Sequence, residues 1–169
     1  KNSGLKSLIT GGTQERGIRA GTESIHDIVG LDESLALSYQ FLEVENAQVR
    51  DLKSYFISEL TNHIPGIKFN GACSDSEIST YTLVNICLPV SATSAPMFLF
   101  QLDLKGIACS KGSACQSGSG KGSHVLAEIL KEEDMKRPSI RFSLSIYNTK
   151  KEIQSVVSIL KELVNEANS

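Results

Sequence analysis

Several things are scarce in this sequence, and each scarcity removes a class of function. No run of apolar residues approaches the roughly 18 needed to cross a bilayer, so nothing reads as a membrane span. There is no excess of positive charge: 17 Lys and Arg stand against 19 Asp and Glu, for a net charge of -2. That speaks against a nucleic-acid backbone as the partner. The four cysteines, Cys73, Cys87, Cys109 and Cys115, form no C-x-x-C pair. A 169-residue chain can bury a core without disulfides, so reduced thiols in the cytoplasm are the plain expectation. The opening KNSGLKSLITGG has neither a starting methionine nor the charged-then-apolar layout of a signal peptide, so a piece of a longer protein is expected.

Two tempting motifs are incomplete. GSGKGS resembles the end of a phosphate-binding loop, but Cys115 stands where the first glycine belongs and Gly122 where a hydroxyl should follow the lysine. Cys109, Cys115 and His124 lack the paired spacing of a zinc site. His26, His63 and His124 stand apart from one another on predicted helices and are given no chemistry.

What is present is alternation of helical and strand-like segments. Apolar residues recur every three or four positions from Glu23 to His63, which predicts one kinked helix or two in succession, stopped by Pro65-Gly66. Strands are predicted at Ile67–Asn70, Tyr81–Leu88, Ile107–Cys109 and Ser139–Ser145. Helices are predicted at Ala95–Lys105 with Gly106 as its C-cap, at Ser123–Glu132, and at Lys150–Ala167. The class is α/β or α+β.

Cys115 is the sharpest chemical feature, because it interrupts a run of glycine, serine and lysine rather than sitting among apolar residues. A thiol in such a loop is exposed, and Lys111, Lys121 and the following helix N-terminus favour its thiolate over a reference pKa near ~8.5. The plain alternative is a surface thiol without a role. Cys73, Cys87 and Cys109 read as small core residues. In GGTQERGIRAGTES, Thr22 stands where a helix begins, so its hydroxyl and free N–H groups suit a phosphate, or it simply caps the helix. Arg141, between Ile140 and Phe142, is either a solvent-facing strand residue or a fork for a carboxylate.

GGTQERGIRAGTES, GIACSKGSACQS and IRFSLSIYNTKKEI, in this order, resemble the C-terminal half of the cysteine desulfurases, class V aminotransferase-like enzymes of fold-type I that depend on pyridoxal phosphate (PLP). SKGSAC is similar to the NifS and IscS group. The resemblance implies that Cys115 is the catalytic nucleophile, taking sulfur from L-cysteine as a persulfide and leaving L-alanine. It implies that Arg141 binds the substrate carboxylate, and that Thr22 contacts the PLP phosphate in the neighbouring subunit of a homodimer. It also implies delivery of sulfur to an iron–sulfur scaffold or another acceptor protein. The six-residue arm from Cys109 to Cys115 reaches at most about 20 Å when extended.

The expected fold is that family's small C-terminal domain, a mixed sheet with helices over residues 64–169, carrying the catalytic-cysteine loop at 110–122. Interdomain helices would occupy 23–63 and a tail of the large PLP domain 1–22. No lysine here stands in the family's Schiff-base context, so this chain alone is expected to be inactive. YNT in SLSIYNT resembles the other desulfurase group, which keeps a selenocysteine lyase in view, beside a class V transaminase-like enzyme and a PLP-free sulfur-carrier module.

Overall fold

The helical periodicity from Glu23 onward is realised as one 39-residue helix, α1 (Ile25–His63). Ser24 precedes it and its carbonyl accepts the Ile28 N–H at 3.1 Å. α1 ends at Pro65-Gly66, where Gly66 takes a φ of 81° that a side chain would strain. A computed structural model describes residues 4, 6–91, 95–111 and 123–169 of the chain. Two compact units are distinguished, Lys1–Leu42 and Glu43–Ser169, with the division falling inside α1.

The second unit is built on a three-stranded sheet in the order β1 (Lys68–Phe69), β2 (Leu83–Cys87), β3 (Ser139–Ser143). Both pairings are antiparallel, so the expected mixed sheet is corrected to an antiparallel one. The chain leaving β1 reverses through 70–82 and returns beside it, and β3 lies antiparallel to β2 although the helix-bearing stretch 95–135 connects them. The predicted strand at Ile107–Cys109 shrinks to a single bridge, Ser110 to Arg141.

Side-chain alternation then sorts the two faces. Val84 opposes Phe142 and Ile86 opposes Ile140, all four buried. Over them pack Leu52, Phe56 and Leu60 of α1, Phe98 and Leu102 of α2 (Ala95–Leu104), and Ile153, Val157 and Leu160 of α5 (Lys150–Asn168). Phe56 meets Phe142 edge-on, with ring centroids 5.3 Å apart. Phe56→Ala should therefore cost about 3–5 kcal/mol in denaturant unfolding of the chain.

The helix ends follow their residues. α2 closes in a Schellman turn, Ile107 N–H to Leu102 O and Gly106 N–H to Asp103 O, both at 2.9 Å, with Gly106 at φ 78°. This is the C-cap expected of Gly106. α5 opens with a capping box, in which the Glu152 N–H donates to Thr149 Oγ1 and the Thr149 N–H to Glu152 Oε2.

The helix expected over Ser123–Glu132 breaks into α3 (His124–Ile129) and α4 (Glu132–Met135). Leu130 and Lys131 are extended between them, and the new start places three acids in the first turn of α4. One of these, Asp134, is drawn to Lys68 of β1, whose Nζ donates to both carboxylate oxygens at 2.7 and 2.8 Å.

That contact, before any other influence, holds the Asp134 carboxyl below its ordinary value. A depressed carboxyl stabilises the fold fully above its unfolded pKa of ~3.9, and the contribution disappears as pH falls through the lowered folded value. Asp134→Asn should thus lower Tm at neutral pH. The gap to the parent should close as pH drops from about 5 to 2, which melting curves across that range would show.

Unit 1 is a different kind of object. Among its described residues only Ala20 is a buried apolar side chain, while Ile25, Ile28, Leu31, Leu35 and Tyr39 along α1 are exposed. A soluble surface rarely leaves so much apolar area bare without a partner for it.

Candidate active site

The face of the sheet opposite α1, α2 and α5 carries the polar residues of the strands. Asn85 opposes Arg141 there, and Cys87 opposes Ser139. A slip of one residue in register would drive Arg141 into the apolar layer in place of Ile140 or Phe142, so the same pattern that builds the core also holds the arginine on this face.

Arg141 is fixed by its backbone on one side and its side-chain neighbour on the other. Its N–H donates to Ser110 O at 2.7 Å and its carbonyl accepts the Ser110 N–H at 3.1 Å. With both backbone groups spent on Ser110, Asn85 and Arg141 face each other as a non-hydrogen-bonded pair, the kind whose side chains approach most closely. Asn85 is itself oriented: its Oδ1 accepts from Asn70 Nδ2 at 3.0 Å, and the same nitrogen donates to Ser139 Oγ at 3.0 Å. Asn70 is 5% exposed, so this amide is a fixed support.

One atom in this arrangement is out of balance. Arg141 Nε is buried and has no hydrogen-bond partner among the described residues. A buried donor left unmade costs about 1–3 kcal/mol, more when it belongs to a charged group. Such an atom fits an acceptor that arrives with a ligand, and a carboxylate matches the guanidinium fork.

Thr22 belongs to the other unit. It lies ahead of α1, with Ser24 rather than Thr22 in the capping position, which corrects the sequence expectation that it begins the helix. Its backbone carbonyl accepts from Arg19 Nη1 at 3.4 Å, and Arg19 also donates to Gly21 O at 2.9 Å. Just upstream, Glu15 and Arg16 hold left-handed φ values of 49° and 59°, uncommon for residues with side chains. Thr22 itself is exposed.

Cys115 lies outside the described residues, as does Lys121; Ser110 and Lys111 are the last described positions before it. The other three cysteines are described. Cys73 is buried with its Sγ donating to Asn85 O at 3.1 Å. Burial, reinforced by the Asp134 charge, pushes the Cys87 thiol up. Burial, followed by the Asp103 charge, pushes Cys109 up to about 11. Cys87 and Cys109 therefore stay protonated at neutral pH.

Sequence reasoning missed Asn70, Asn85, Ser139 and Ser110. The signal for Asn85 was present: a lone amide between Val84 and Ile86 marks the solvent side of an otherwise apolar strand. Nothing in the sequence pairs Ser110 with Arg141, because that contact joins residues 31 apart.

Residues 6–156 match the family model Aminotransferase class-V. The chain is 32% identical over 166 residues to cysteine desulfurase IscS of Dictyoglomus turgidum, covering 98% of this chain and 41% of that protein. It is 35% identical over 165 residues to putative cysteine desulfurase IscS 1 of Bacillus subtilis, covering 97% of this chain and 42% of that protein. Among solved structures, a NifS-like protein of Rickettsia africae superposes with TM-score 0.71 at 26% identity, over 95% of this chain and 40% of that one. Another NifS-like protein gives TM-score 0.73 at 25% identity, over 96% of this chain and 39% of that one. The chain thus spans about two fifths of the length of these relatives. It belongs to the class V aminotransferases, a family of PLP-dependent enzymes, and within them is related to the cysteine desulfurases of the IscS kind.

Proposed function

We propose that the chain is the C-terminal part of a PLP-dependent cysteine desulfurase that moves sulfur from L-cysteine onto Cys115 and then to an iron–sulfur scaffold or another acceptor protein in the cytoplasm. The observation that carries the reading is the buried Nε of Arg141, without a partner among the described residues, on a strand whose backbone is tied to Ser110. Arg141 holds the substrate carboxylate, and Asn85 keeps its neighbour face polar. Five residues of chain lead from Ser110 to Cys115, at most about 18 Å when extended. The nucleophile therefore starts from the very residue that pins the carboxylate clamp.

The step moves a sulfur atom from the substrate carbon to the sulfur of a thiolate. The Cys115 thiolate attacks the substrate sulfur, an S–S bond forms, and the substrate C–S bond breaks. Its electron pair stays on the substrate carbon, which takes a proton and leaves as L-alanine. PLP, when bound, supplies the electron sink for this chemistry. The Thr22 hydroxyl donates to the cofactor phosphate across the interface of a homodimer.

In this reading residues 1–22 are the tail of the large PLP domain, 23–63 the interdomain helix, and 64–169 the small domain. The exposed apolar residues of α1 seat the remainder of the enzyme. No lysine of this chain serves as the Schiff-base partner, so the chain by itself does not turn over. The test is whether the complete enzyme, given L-cysteine, yields alanine together with a persulfide on Cys115. Alanine without any persulfide would favour a transaminase-like enzyme instead.

A further inference from the structure

A second polar site lies between α1 and the 73–81 turn, where a cavity of about 200 Å³ is lined by Arg50, Lys53, Ser54, Ser74, Ser76 and Ser79. Tyr81 and Ile57 complete its wall. Lys53 is only 4% exposed, and its ammonium donates to Ser79 Oγ and Thr80 O, both at 2.7 Å. Both acceptors are neutral, and among the described residues no carboxylate lies within 4.0 Å of it. Burial before all else holds its pKa below the ordinary lysine value. A buried cation without a counter-charge is costly unless something supplies one.

Arg50 stands one helical step away with its plane set. Its guanidinium carbon lies 5.3 Å from the centre of the Tyr81 ring, its Nε donates to Asn46 Oδ1 at 2.6 Å, and its Nη1 donates to Ser76 O at 2.9 Å. Among the described residues Nη2 has no acceptor, nor has the third proton of Lys53. Asp75, whose field reaches Lys53, already accepts the Glu77 N–H on its Oδ1 at 2.8 Å. Two cations and four serines thus line one small space, with no acid among the described residues of its wall.

We propose that this cavity binds a tetrahedral oxyanion, either free phosphate or sulfate or the phosphate of a small phosphomonoester. Arg50 and Lys53 supply the charge, Ser54, Ser74 and Ser76 the neutral hydrogen bonds, and the Tyr81 wall the room for an ester's organic part. The site shares no residue with Arg141, Thr22 or Cys115, and it stands whether or not the sulfur chemistry does.

The experiment is an NMR titration of the 169-residue chain with sodium phosphate, sodium sulfate and glycerol 3-phosphate at constant ionic strength. Saturable shifts should cluster at residues 50–54 and 74–81, with a Kd of about 1–10 mM. Tighter binding of glycerol 3-phosphate than of phosphate assigns the site to an ester, and equal binding assigns it to the free anion. Ser54→Asp places a carboxylate at the mouth from an exposed position on α1, where the fold does not depend on it, and should weaken binding at least about tenfold. Lys53→Gln should do the same if it folds. Shifts that never saturate, that spread over the whole surface, or that persist unchanged in Ser54→Asp would overturn the proposal.

Discussion

Arg141→Ala in the complete enzyme should lower kcat/KM for L-cysteine by about 10²–10³-fold, the effect of removing a paired, charge-assisted contact worth about 3–4 kcal/mol. The loss should fall on cysteine and spare cysteamine, which lacks the carboxylate that Arg141 is proposed to hold. Arg141→Lys keeps the charge without the fork and should recover only part of the activity. Thermal stability gives an independent readout. Because Nε is buried without a partner among the described residues, the alanine variant removes a cost as well as a side chain, so its Tm should not fall. Equal losses with both substrates, together with a lower Tm, would mean that the arginine is there to hold the sheet.

Cys115→Ser should have the larger effect. A serine hydroxyl is not ionised near neutral pH and cannot accept a sulfur atom, so sulfur delivery to an acceptor should drop by at least about a thousandfold. The remaining thiols do not substitute for it. With its pKa pushed up to about 11, Cys109 is a thiolate in roughly one molecule in ten thousand at pH 7. Cys87 is raised in the same direction by burial, and Cys73 is buried with its Sγ donating to Asn85 O. Coupled assays of alanine release and sulfide trapping, run side by side on the variant, separate loss of the acceptor from loss of substrate binding.

The parts of the fold legible in the sequence are those decided by local chemistry. Gly106 closes α2 because left-handed backbone at the end of a helix favours glycine, and a glycine at the end of a periodic run reads directly as that signal. The strand at Leu83–Cys87 and its antiparallel partner at Ser139–Ser143 follow from β-branched and apolar alternation. What failed depended on distant contacts. The break between α3 and α4 accompanies Asp134 reaching a lysine 66 residues earlier, and an ion pair at that separation leaves no trace in helical periodicity. The sense of the sheet was misjudged because strand order depends on the return path of the chain, which composition does not encode.

The site divides along the same line. Arg141 was recognisable because a charge between Ile140 and Phe142 must take the opposite face of a strand from both. Its supports were not, since Asn70, Asn85 and Ser110 reach it only through the sheet register and one bridge. Lys53 was hidden for the opposite reason: a lysine in an amphipathic helix reads as solvent-facing, and only the folded turn over it shows that it is enclosed.

The central claim is that one particular thiol receives the sulfur. It is tested by incubating the complete enzyme with L-cysteine, alkylating, and mapping persulfide by peptide mass spectrometry without reduction. The account predicts an added sulfur atom on the peptide containing Cys115 and none on those containing Cys73, Cys87 or Cys109. Persulfide on Cys109, or on no cysteine while alanine accumulates, would contradict it.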